Sequence, residues 1–114
     1  MNKDISIAFA LFIVTQALIW YQTNLQFFND WAKDRPLIMS ILGVPISYLL
    51  IYASKYVVSG FNGVLWPGRF IGFSTGMIIM AILTNLHMNE GINTKTGVTL
   101  VLAFIIVMIQ LYWK

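Results

Sequence analysis

Gln16 is the strongly polar side chain at the centre of a stretch, Ile5 to Phe27, that carries no charge. Trp20 lies one helical turn further along the same face. An amide at that depth in a bilayer turns to the interior of a helix bundle, where it bonds a neighbouring helix or meets a bound molecule. As a neutral amide it cannot titrate, so proton coupling is closed at this place. The four carboxylates, Asp4, Asp30, Asp34 and Glu90, all fall at helix ends or in loops, so none of them takes over that role. Tyr48, Tyr52 and Tyr56 recur at a spacing of four and share one helix face. With Trp66 they make either an aromatic wall for a cation or a flat apolar molecule, or ordinary packing in which the hydroxyls find nearby partners. The expected substrate-binding set is Gln16, Trp20, Tyr48, Tyr52 and Trp66. Lys55 and Arg69 are expected at one membrane end, where they hold a phosphate of a lipid or a soluble substrate or snorkel to the headgroups. His87 and Glu90, three apart, pair at a helix end or form a solvated cap.

Other chemistries lack their parts. One histidine, no cysteine and four scattered carboxylates do not make a metal cluster. No nucleophile–base pair and no phosphate-cradling loop is present, so neither catalytic residues nor a cofactor is expected, and the chain is not read as an enzyme. The net charge of +3 contains no basic run, which argues against nucleic acid.

The elements that must position these residues are apolar helices. The chain has 114 residues, 59% of them hydrophobic and 10% charged, with a mean hydropathy of +0.78. A soluble domain carries about 25% charged residues, so this surface must face lipid. We expect an all-α integral membrane protein, one domain of four transmembrane helices joined by short loops, at about 5–27, 37–58, 66–89 and 96–113. Each is long enough to cross a hydrocarbon core of about 30 Å at 1.5 Å per residue. The first, after Met1-Asn2-Lys3-Asp4, is too long for a signal-peptide core and lacks a small-x-small site, so it is read as a retained helix. Asn29 to Pro36 is the first loop and holds half of the acidic residues. Pro45 should kink the second helix by removing a backbone hydrogen bond.

The third helix organises the others. Leu65-Trp66-Pro67-Gly68-Arg69-Phe70-Ile71-Gly72-Phe73-Ser74-Thr75-Gly76 opens with an interfacial tryptophan and a helix-starting proline. Gly68, Gly72 and Gly76 then form a stripe that lets another helix approach closely, since van der Waals packing holds helices together in lipid. That helix belongs to the same chain or to a second copy. In the second case Gly72→Leu abolishes assembly and leaves insertion intact.

Alternation places Lys3, Lys55, Arg69 and Lys114 on one side, and Lys33, Arg35 and Lys95 on the other. Orientation follows the Lys/Arg bias, and four against three is nearly none. The chain either takes one topology with a cytoplasmic N-terminus or inserts both ways and forms antiparallel dimers.

Three places resemble the small multidrug resistance branch of the drug/metabolite transporter superfamily. Trp66-Pro67-Gly68-Arg69-Phe70-Ile71-Gly72 is similar to that family's Trp-Ser-Gly-x-Gly entry to the third helix. Glu90 followed by Gly97 is similar to its Glu and Gly between the last two helices. Thr15-Gln16 sits where the multidrug branch has Ala-Glu. The resemblance implies a dimer, often antiparallel, with a substrate chamber among the first three helices and pairing through the fourth. Gln16 in place of the coupling glutamate, Pro67 in place of the motif's serine, and the charge of Arg69 speak against export of cationic drugs. The expected function is movement of a small metabolite, drug-like or lipid-like molecule by a homodimer in contact with membrane lipids, without a membrane carboxylate for proton coupling. The alternative is a non-catalytic subunit packed against a larger membrane complex. The expected location is a cell membrane, the inner membrane of a bacterium or of a virus's host.

Overall fold

The computed structural model describes residues 3–113. The parts of the signal-peptide and topology readings that rest on Met1, Asn2 and Lys114 lie outside the described residues. Every regular element is helical: α1 (Lys3–Asn24), a 3-10 turn (Leu25–Phe27), α2 (Asp30–Lys33), α3 (Pro36–Ile41), α4 (Gly43–Gly60), α5 (Trp66–Met88) and α6 (Thr94–Tyr112). Four helical stretches, Lys3–Phe27, Pro36–Gly60, Trp66–Met88 and Thr94–Tyr112, are long and apolar enough to span a membrane. The chain is an all-α integral membrane protein with four such helices.

Local chemistry sets the boundaries. Pro36 and Pro67 stand in the first turns of their helices, where a missing N–H has no intrahelical partner to lose. The Asn93 side chain accepts the Thr96 amide (2.8 Å) and starts α6, and Asn29 accepts the Ala32 amide (3.2 Å). That second cap winds part of the expected first loop into the one-turn helix α2. The turn between α4 and α5 runs through Asn62 and Gly63 at φ 58° and 88°, a left-handed bend that glycine and asparagine tolerate.

The expected second helix is two pieces. Pro45 offers no amide to the Ile41 carbonyl and its ring crowds that group. The ladder breaks one turn upstream, at Leu42, between α3 and α4. Gln22 of α1 donates to the Met39 carbonyl (3.2 Å), which also accepts the Leu42 amide (3.2 Å), so the break is bridged from a neighbouring helix.

Packing is unequal. α1 lies between α4 and α5 and contacts both, while among the described elements α6 touches α5 alone. The principal extents are 47 × 36 × 18 Å, a slab about two helix diameters thick. Ala8, Phe12, Ala53, Val57 and Ile71 form the buried centre of the α1–α4–α5 unit. α6 buries one residue, Ala103. Thr15 and Thr75 are also buried, and each hydroxyl donates back to its own helix, to the carbonyls of Leu11 (2.6 Å) and Ile71 (2.7 Å).

The glycine stripe is spent inside the chain. A Cβ at Gly68 would lie 2.6 Å from Val57 Cγ1, one at Gly72 3.2 Å from Phe12 Cε1, and one at Gly76 2.9 Å from Gln16 Oε1. Gly68 therefore admits α4, and Gly72 and Gly76 admit α1. A leucine at Gly72 would enter Phe12 of the same chain and push α1 from α5.

Candidate functional site

α1 and α5 run parallel, so residues pair in rising order: Phe12 against Gly72, Gln16 against Gly72 and Gly76, Trp20 against Thr84. At one end Ser59 donates to the Asp4 carboxylate (2.7 Å), which ties the start of α1 to the end of α4. The Lys3, Gly60 and Trp66 ends thus share one membrane side, as the alternation of spans requires.

A cavity of about 510 Å³ opens between α1, α4 and α5. Its walls include Phe12, Leu50 and Phe73, and its polar groups come from Gln16, Ser54 and Arg69. The size falls in the range of small-molecule sites, about 300–1,000 Å³. Gln16 donates from Nε2 to the Gly72 carbonyl (3.2 Å). One amide hydrogen is used this way, and the second N–H and the carbonyl oxygen remain for other partners. The bond depends on the stripe, because a side chain at Gly76 would occupy the space of the Gln16 amide. Arg69 precedes Gly72 by three residues and so lies one turn nearer the start of α5 on a neighbouring face. The cavity therefore runs from a guanidinium at the membrane end to an amide further in.

The other expected site residues are placed elsewhere. Trp20 is 3% exposed and donates from Nε1 to Thr84 Oγ1 (3.1 Å). It borders a second cavity, with Asn24, Met80 and Glu90, towards the opposite membrane end. Tyr48 and Tyr52 are 60% and 37% exposed; they pack edge to face at 5.1 Å on the outer side of α4 and do not line the Gln16 cavity. Trp66, 70% exposed, stacks on Phe70 at the boundary. Ile46, Ala53 and Val57 form the buried face of α4; Tyr48 and Tyr52 fall outside it, while Tyr56 packs half-buried against the core. Lys55 lies over the rings of Tyr52 and Tyr56 (5.8 and 5.9 Å), so it and Arg69 do not line one cavity.

An aromatic cluster not anticipated from sequence closes the far end. His87 stacks on Phe28 (5.1 Å, 4°) and on Trp20 (5.4 Å, 29°), and its Nε2 shares a hydrogen bond with the Tyr21 hydroxyl (2.8 Å). His87 is bound to α1 and the turn after it; no ion pair joins it to Glu90 among the described residues. The available signal was the aromatic density of Trp20, Tyr21, Phe27 and Phe28 at one helix exit, with His87 at the matching depth of a parallel helix. Ser54, Phe12 and Phe73 are also new to the site, and nothing in their types marks them as cavity residues. Among the described residues no three of His, Asp and Glu are grouped to hold a metal ion.

No family model, no curated protein and no solved structure matches the chain.

Proposed function

We propose that this protein binds a small amphipathic molecule between α1, α4 and α5 and moves it across a cell membrane, acting as a homodimer in the manner of the small multidrug resistance proteins. The observation that supports the reading is the cavity of about 510 Å³ beside Gln16. A polar side chain carried into an apolar helix at a cost is kept where it meets a ligand or fixes a helix, and Gln16 borders a ligand-sized space while bonding one backbone group. The movement is not coupled to protons through a carboxylate in the membrane, because the cavity wall holds an amide where such coupling needs an acid. No catalytic step is involved.

The dimer rests on α6, a helix apolar around its circumference that touches one neighbour. The same feature favours a second reading, a subunit packed through α6 against a larger membrane complex. Purification from the native membrane in a mild detergent separates them. A transporter is expected as a homodimer, and reconstituted alone it should carry a labelled amphiphile across proteoliposomes. Larger chains co-purifying in fixed stoichiometry, with no flux by the isolated protein, would replace the first reading by the second. Orientation is read from Lys95→Cys and Lys114→Cys with a membrane-impermeant thiol reagent, on a chain that has no native cysteine. Partial labelling of both sites supports antiparallel dimers.

A further inference from the structure

We infer that the ligand of the α1–α4–α5 cavity is an anionic amphiphile, with a phosphate-like acidic head on Arg69 and its hydrocarbon chain against Phe12, Leu50 and Phe73. The inference rests on the binding part of the reading above and names its ligand class. Arg69 borders the cavity, and among the described residues its guanidinium makes neither an ion pair nor a hydrogen bond. Five donors in a planar cationic fork are thus free to receive an oxyanion. The cavity offers a cation no carboxylate in return. Asp4 is engaged by Ser59 at the helix ends. Asp30 and Asp34 lie on the α1–α3 connection, and Glu90 borders the other cavity. No carboxylate lines the space beside Gln16.

Depth places the two halves of the ligand. α5 spans 23 residues, about 34 Å, against a hydrocarbon core of about 30 Å. Arg69, three residues inside the helix start, therefore stands at the level where headgroups meet acyl chains. Apart from Ser54, the walls beyond it are apolar as far as Gln16. An exposed guanidinium alone pairs weakly with an anion in water, so a head without a chain should not stay. A chain without an acidic head gains nothing over the surrounding lipid, which is equally apolar. Both parts are required.

The test uses the full-length protein in phosphatidylcholine nanodiscs and three probes: an alkyl phosphate with a diazirine in its chain, the trimethylammonium analogue, and inorganic phosphate as competitor. The phosphate probe is expected to label the Phe12, Leu50 and Phe73 segments on the order of tenfold more than its cationic analogue, and Arg69→Gln should lower that labelling by a similar factor. Arg69→Lys should keep most of it, as a point charge still attracts the head. Excess inorganic phosphate should not compete. Ser54→Trp, which fills the cavity and spares Arg69, should abolish labelling with an unchanged elution profile. Equal labelling by the cationic probe, insensitivity to Arg69→Gln, displacement by inorganic phosphate, or labelling that survives Ser54→Trp would each overturn the inference; the last would reduce Arg69 to a contact with ordinary boundary lipid. Phosphatidic acid added to the nanodisc names the source. Competition by it identifies a bilayer lipid, its absence a free amphiphile, and both accord with the inference. Because labelling is read at equilibrium without a gradient, it stands or falls separately from flux. Labelling without flux would remove the transport reading alone, and flux of a cationic or neutral amphiphile alone would remove this one.

Discussion

Gly68 offers the sharpest test of how the helices are held together. The substitution is Gly68→Ala, one methyl group placed 2.6 Å from Val57 Cγ1. Carbon atoms pack best at about 3.5–4.0 Å, so the new contact is short by about 1 Å. Val57 is 1% exposed, and a valine in a helix has essentially one favoured rotamer, so the methyl cannot swing away. Either α4 and α5 separate or Val57 leaves its rotamer, at about 1–3 kcal/mol for an overpacked site. Against this stands the gain in helix propensity from glycine to alanine, about 0.8–1.0 kcal/mol. The net expectation is destabilisation by roughly 0–2 kcal/mol, with a double-mutant signature that the propensity term cannot mimic. Val57→Ala removes the colliding methyl groups, so in that background Gly68→Ala should become stabilising, with a coupling of about 1–3 kcal/mol. The assay is reversible unfolding in mixed micelles titrated with dodecyl sulfate, followed by helix content at several protein concentrations. A Gly68→Ala protein more stable than wild type, with additive energies in the cycle, would refute intrachain packing of the stripe. Coupling that vanishes on dilution would move the contact to an interface between chains.

Three further outcomes follow from the geometry. Gln16→Leu loses the bond to the Gly72 carbonyl, which in membranes is worth about 0.6 kcal/mol on average, so unfolding should shift little while amphiphile flux falls; a large stability loss with flux intact would mark Gln16 as a structural tie. Thr84→Val keeps the side-chain volume but strands the Trp20 indole N–H, and should cost about 1–3 kcal/mol in the same titration, whereas Thr84→Ser should be near neutral; equal costs would show that the bond to Trp20 contributes nothing. Pro45→Ala returns an amide to the Ile41 carbonyl and should slow hydrogen exchange over residues 41–46 by about fivefold for roughly 1 kcal/mol of added bonding; unchanged exchange would mean that packing, not the proline, breaks the helix at Leu42.

What the sequence determined by itself is local. The four spans follow from apolar length measured against a bilayer of known thickness, and their ends from short-range devices: Pro36, Pro67, the Asn93 cap, and the left-handed Asn62–Gly63 turn. The break near Pro45 was legible for the same reason, since a missing amide acts within one turn. The glycine stripe announced a close helix approach without naming the partner. That partner, and the direction in which each polar residue faces, required the tertiary structure. A transmembrane helix is apolar on its lipid side and its core side alike, so periodicity does not record its rotation as it does for a helix in water. Tyr48 and Tyr52 could be read inward for that reason, and the structure turns them outward because Ala53 and Val57 occupy the contact face of α4. Gln16 meets Gly72, Trp20 meets Thr84, and His87 enters the rings of Trp20, Tyr21 and Phe28. These contacts exist because α1 and α5 run parallel side by side, an arrangement set by which helix faces have room for each other and not by any single stretch of chain.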